Sequence, residues 1–122
     1  AYVQHILFLG GANDILQGRK LDAIMHDYQR LHDFCQEKNY SLCIMLPFIS
    51  ADEWMNRHLL NLKQELETRF SEKAFLLDVQ PAIGLDAGAR KRAYLDGVHP
   101  LAGIYTAIGA YAAPKLQAWV QK

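Results

Sequence analysis

Apolar residues fall in short runs, and the stretches between the runs carry them at helical spacing. Tyr2 to Leu9 (YVQHILFL) is an apolar, β-rich run that ends in Gly10-Gly11 and predicts a buried strand followed by a turn. From Leu21 to Lys38 the apolar positions are Leu21, Ile24, Met25, Tyr28, Leu31 and Cys35, one stripe of a helix with charges on the other face. Asn39-Tyr40 breaks that pattern, and Ser41 to Phe48 (SLCIMLPF) predicts a second strand that Pro47 brings to its end. Ser50 and Glu53 have the spacing of a capping box. They predict the start of a helix whose stripe is Met55, Leu59, Leu62, Leu66 and Phe70. Lys73 to Val79 (KAFLLDV) reads as a third short buried strand, and Gln80 to Tyr94, with Pro81, Gly84 and Gly88, as a looser region. A last helix is predicted from about Leu101 to Val120, kinked or restarted at Pro114 because proline lacks a donor and crowds the preceding turn.

Strand and helix alternate along the whole chain, which predicts an α/β domain with a parallel sheet and crossover helices. The strands are near-continuous apolar runs, as expected of parallel strands covered on both faces. In such folds ligands bind outside the carboxyl ends of the strands, so the segments that follow each strand carry the functional question.

Composition narrows the class. The 122 residues suffice for one domain, and 51% hydrophobic with 21% charged residues excludes wholesale disorder. Thirteen Lys+Arg balance thirteen Asp+Glu, so the chain has no broad electrostatic footprint for nucleic acid or an anionic membrane. No apolar run approaches the ~20 residues of a membrane span. Cys35 and Cys43 lie in apolar stretches and read as buried thiols, a bridge between them being the alternative, so the redox compartment stays open. No Cys-x-x-Cys or His-Glu-x-x-His pattern calls for a metal, and Asp22 and His26, one helical turn apart, lack a third ligand. His32 and His58 fall on charged helix surfaces, and His5 reads as a packed strand residue. Asp78 is placed to bond backbone amides in the turn after the third strand. Trp54 and Trp119 read as packing residues, and the short basic run Arg90-Lys91-Arg92 as a lining for the mouth of a site.

Two segments hold candidate chemistry. Gly10-Gly11-Ala12-Asn13-Asp14 follows the first strand, where the glycines permit unusual backbone angles and Asn13 offers an amide donor at the active edge of the sheet. By itself this is ordinary turn chemistry. Asp96-Gly97-Val98-His99-Pro100 precedes the last helix. A carboxylate three residues ahead of an imidazole can fix its tautomer and leave the other ring nitrogen as a general base, although a turn cap before a helix-opening proline has the same spelling.

As a pair, these segments resemble the third and fifth blocks of the SGNH (GDSL-type) hydrolases, a family of esterases and acylhydrolases. The resemblance follows the order of elements along the whole chain. It implies a three-layer α/β sandwich with a parallel flavodoxin-like sheet, in which residues 1–122 form the C-terminal part of a single domain that lacks its first strands. It assigns Asn13 to the oxyanion hole, His99 to the catalytic base and Asp96 to the acid that orients it, with Gly11 and Asp14 supporting the oxyanion loop. The implied substrate is a small-molecule ester, cleaved through a serine acyl-enzyme with no metal or organic cofactor. The family's Gly-Asp-Ser block and its second, glycine-bearing block are both absent. The serines are Ser41, Ser50 and Ser71, none follows Gly-Asp, and none is assigned as the nucleophile. The expectation is therefore that the serine comes from outside this chain, and that a missing N-terminal segment or a second copy of the chain covers a free strand edge. The alternatives are a non-catalytic SGNH-like remnant that binds a partner, and a different flavodoxin-like binding module.

Overall fold

The computed structural model describes residues 4–84, 86–94, 100 and 102–122. Three short strands, β1 (His5–Phe8), β2 (Ser41–Met45) and β3 (Phe75–Leu77), form one sheet in the order β1-β2-β3. Both pairings are parallel, with His5 opposite Ser41 and Cys43 opposite Phe75. The helices are α1 (Ala12–Leu16), α2 (Leu21–Lys38), α3 (Glu53–Phe70), α4 (Ala87–Ala93) and α5 (Ala102–Val120), with a 3-10 turn at Gln80–Ala82.

Alternation along β2 builds the layers. Leu42 and Ile44, continued by Leu46, face one core with the buried stripes of α2 and α3, including Met25, Tyr28, Leu62 and Phe70. Cys43 and Met45 point the other way, into a second core with Leu77, Val79, Tyr94, Ile108 and Ala112. Helices thus cover the central strand on both faces, which is why it is spelled as an unbroken apolar run. Trp119 packs against this second core, edge-on to His5 at 4.9 Å between ring centroids and stacked on Phe75 at 5.8 Å.

Several sequence expectations are corrected. The strands are shorter than the apolar runs that predict them. β1 is not buried: it is an edge of the sheet, and Leu7, Phe8 and Leu9 are 46%, 36% and 51% exposed. Its apolar spelling is the same as that of a central strand, but among the described residues it pairs on one side only, and at its carboxyl end Phe8 meets the Tyr28 ring of α2 edge-on while staying partly exposed. Ser50 and Glu53 do not form a capping box. Asp52 is the N-cap of α3, accepting the Met55 N–H at 3.0 Å, while the Ser50 hydroxyl accepts from the Asp52 N–H. Gly11–Leu16 is a helical turn rather than a plain loop, and α4 occupies part of the stretch read as loose, with Asp86 capping it through the Ala89 N–H. α5 is a single helix through Pro114; Pro114 and Ala110, whose carbonyl loses its partner, both lie on the exposed face. His32 is buried against Phe70 rather than on a charged surface, and Trp54 is exposed against His58. Cys35 and Cys43 are both buried and unbridged.

Candidate functional site

The carboxyl ends of β1 and β2 open onto a cleft of about 380 Å³. One wall is the segment Leu9 to Asp14. Gly11 turns the chain there with φ +101°, a conformation that costs other residues free energy, and it opens α1 with its carbonyl accepting from the Ile15 N–H. A Cβ at Gly11 would run into Leu62 Cδ2, so the loop lies directly on the core. The Tyr28 hydroxyl reaches up from α2 and donates to the Gly10 carbonyl at 3.2 Å. Burial pushes the Tyr28 phenol well above its ordinary range, so it stays a neutral donor.

On this anchored loop Asn13 is exposed in the first turn of α1 and lines the cleft. Asp14 lines it too, but its carboxylate is held by Arg19 at 2.8 Å, and the same guanidinium nitrogen donates to Asp27 at 2.6 Å. The hydrogen bond from Arg19 keeps the Asp27 carboxyl below the usual carboxylate range. Gly11, Asn13 and Asp14 are thus brought together, with Gly11 and Asp14 acting as fasteners of the loop that carries Asn13.

The opposite wall is the segment from Pro47 to Ser50. Three residues hold it, one from the following helix and two from farther along the chain. The Asn56 side chain on α3 accepts from the Ser50 N–H at 2.6 Å and from its hydroxyl at 3.2 Å, and donates to the Ser50 carbonyl at 2.9 Å. Gln80 Oε1 accepts from the Ile49 N–H at 2.7 Å, while its Nε2 donates to the Gly84 carbonyl at 2.8 Å. The Tyr94 hydroxyl donates to the Ile49 carbonyl at 2.8 Å, and burial pushes this phenol up to about 12. Arg90 adds a bond to the Ser50 carbonyl at 3.1 Å and an ion pair with Glu53 at 3.3 Å, so it fastens this wall rather than lining the cleft. Sequence reading missed Asn56, Gln80 and Tyr94. The available signal was weak: each is a polar group beside an apolar stripe or strand end, and the partners of Gln80 and Tyr94 are 31 and 45 residues away.

Asp96 and His99 lie outside the described residues. Their flanks are described: Tyr94 and Pro100 form an antiparallel bridge, and both line the cleft, as does Tyr105 from α5. Of the serines, Ser50 is on the cleft, but its hydroxyl is engaged by Asn56 and Asp52. Ser41 and Ser71 line a different cavity of about 350 Å³ with His32 and Trp119; Ser41 opens β2, at the amino end of the strand. Asp78 behaves as expected, accepting the Gln80 N–H at 2.9 Å, and also pairs with Lys63. Asp22 and His26 are both exposed, and no group of three or more metal-ligating side chains occurs among the described residues.

No protein-family model matches the chain, and no curated protein does. Among solved structures it is similar to a GDSL-like lipase from Bacteroides thetaiotaomicron VPI-5482, with a TM-score of 0.75 at 14% identity over 92% of this chain and 61% of that one. It is also similar to a carbohydrate esterase family 3 protein from Talaromyces cellulolyticus, with a TM-score of 0.72 at 18% identity over 97% of this chain and 59% of that one. The chain therefore spans about three fifths of the length of each. At such identities the likeness is one of architecture: the three parallel strands and flanking helices of this chain have the α/β fold of GDSL-type hydrolases.

Proposed function

We propose that this chain forms part of a serine esterase or acylhydrolase of SGNH type, hydrolysing acyl esters through an acyl-enzyme. The observation that carries the reading is Asn13, exposed on a rigidly fastened loop at the carboxyl edge of the sheet and facing the cleft that Tyr94 and Pro100 also line. In this reading a serine supplied from outside these residues attacks the ester carbonyl. His99 takes the serine proton, gives it to the leaving alcohol and then activates water, with Asp96 holding its ring. Asn13 donates to the oxyanion that develops, where a fixed donor is worth far more than in water. Because Ser50 is committed to Asn56 and Ser41 sits at the other end of the sheet, the chain's own serines are poor nucleophile candidates. The exposed apolar edge of β1 suits a further strand, of the kind that the longer hydrolase structures have room for.

The same want of a placed serine favours a second reading, a non-catalytic module that keeps the fold and binds a partner. One experiment separates the two. The chain is tested with a fluorophosphonate probe and an ester substrate, alone and in the assembly that provides the additional strand. The hydrolase reading expects labelling of a serine outside these residues, and a ~10²–10³-fold loss of turnover for Asn13→Ala. His99→Ala should lose more. Turnover that is indifferent to both substitutions, or stoichiometric labelling of Ser41, Ser50 or Ser71, overturns it.

A further inference from the structure

The cleft beside Asn13 offers a ligand more apolar than polar surface. The Ser50 N–H, carbonyl and hydroxyl are all bonded within the protein, to Asn56, Asp52 and Arg90. The Tyr94 hydroxyl is spent on the Ile49 carbonyl, and the Asp14 carboxylate on Arg19. Apart from Asn13 and the Gly10–Gly11 backbone, what remains along the described walls is mostly carbon: Leu9 after β1, Pro47 and Phe48 after β2, and the ring of Tyr105.

Resting on the acylhydrolase reading, we propose that this cleft is the acyl subsite and takes an aliphatic acyl chain longer than acetyl, with Phe48 and Tyr105 as specificity-determining residues. A sugar placed here would give up hydrogen bonds to water and, away from Asn13, meet a wall whose Ser50 and Tyr94 groups are already bonded, and each hydroxyl left unpaired is costly. An aliphatic chain loses nothing on entry and removes both its own surface and that of the wall from water. The position fits the chemistry: the cleft runs up to Asn13, so a carbonyl held at the amide would trail its chain between the two walls. Phe48 is half-buried, and Tyr105 is 54% exposed, so both present apolar surface that the core does not use.

The test is binding, which needs no nucleophile. Amide NMR spectra of the chain are titrated with 1-butanol, 1-hexanol and 1-octanol, and separately with methyl β-xylopyranoside. The expectation is saturable shifts at Gly10, Gly11, Asn13 and Phe48. Affinity should tighten by up to about fourfold per methylene, the equivalent of ~0.8 kcal/mol, and the xyloside should produce no shifts there. Phe48→Ser should weaken octanol at least fivefold. Tyr105→Ser, at an exposed position where folding is not at stake, should do the same, and Phe34→Ser on the exposed face of α2 should leave binding unchanged. Xyloside binding as tight as octanol, no trend with chain length, or shifts confined to residues 5–8 of β1 overturns the proposal. Chain-length-dependent binding together with ester turnover indifferent to Asn13→Ala would keep the apolar subsite and remove the hydrolase reading. Turnover that needs Asn13 but ignores acyl length would do the reverse.

Discussion

Gly11→Ala tests whether the loop bearing Asn13 is fastened as described. Two costs add at this position. The first is conformational: φ is +101°, and a residue with a Cβ pays ~1–2 kcal/mol or more in this half of the map. The second is packing. The new methyl group would overlap Leu62 Cδ2, and because Leu62 is fully buried its side chain must shift within the core. Forcing an extra methyl into a filled core costs ~1–3 kcal/mol. The sum is ~2–5 kcal/mol, or roughly 1–2.5 M in the midpoint of a urea transition for an m-value of ~2 kcal/mol/M.

Gly18 separates the two terms. Its φ is +79°, and nothing lies within 4 Å of a Cβ built there, so Gly18→Ala reports backbone strain alone. Equilibrium urea unfolding should find Gly11→Ala more costly than Gly18→Ala by ~1–3 kcal/mol. In a Leu62→Ala background, where the obstructing methyl is gone, the cost of Gly11→Ala should fall to that of Gly18→Ala. That coupling lies in the range expected for contacting residues. Equal costs for the two glycine variants, or a Gly11→Ala penalty unchanged by Leu62→Ala, would refute the picture of a loop pressed on the core.

Asn56→Ala should destabilise by ~2–4 kcal/mol, read by thermal or urea melting, because it leaves the Ser50 N–H buried without its acceptor and removes a further bond to the same residue. Asn56→Asp, which keeps the acceptor oxygen but replaces the amide donor, should retain the Ser50 N–H bond and lose the one to the Ser50 carbonyl. The Cys43 thiol, raised by burial from an ordinary 9.0 to about 11, gives a pH dependence of defined sign. Well below pH 9 the thiol is protonated in both states and contributes no slope. Between about 9 and 11 this thiol ionises in the unfolded chain first, so stability should fall with rising pH, and Cys43→Ala should make that part of the profile shallower, the remaining slope coming from Cys35, Tyr28 and Tyr94, which burial also raises. A profile between pH 9 and 11 that Cys43→Ala leaves unaltered would count against the burial assigned to this thiol.

The architecture was legible where burial is two-sided. β2 is covered on both faces, and its run of Leu42, Cys43, Ile44 and Met45 says so directly. β1 has the same kind of spelling but a different environment, since periodicity reports the apolarity of a segment and not whether a helix covers it. The short helices α1 and α4, five and seven residues long, are too brief for a 3.6-residue period to repeat, although the Asp86 cap was there to be read. His32 could have been placed correctly: it lies between Tyr28 and Cys35 on the very stripe that predicts α2. The capping box failed for a local reason, because Asp52 is two residues nearer to the helix than Ser50 and takes the Met55 N–H.

Asn13 was legible through a motif, because one loop supplies the glycine, the amide and the start of α1. The wall facing it was not, and the reason lies in sequence distance. Asn56, Gln80 and Tyr94 converge on the backbone of Ile49 and Ser50 from three separate elements, across 6, 31 and 45 residues of chain. No local pattern encodes such bonds. They nevertheless decide what the cleft can do, since they consume the polar groups of the Ile49–Ser50 backbone and leave Phe48 and Pro47 as the surface. Residues that need not touch a ligand thus set both the position of one wall and its chemical character. A substitution at Asn56 or Gln80 would reach the site through Ile49 and Ser50, by returning unbonded N–H groups to a mostly apolar wall.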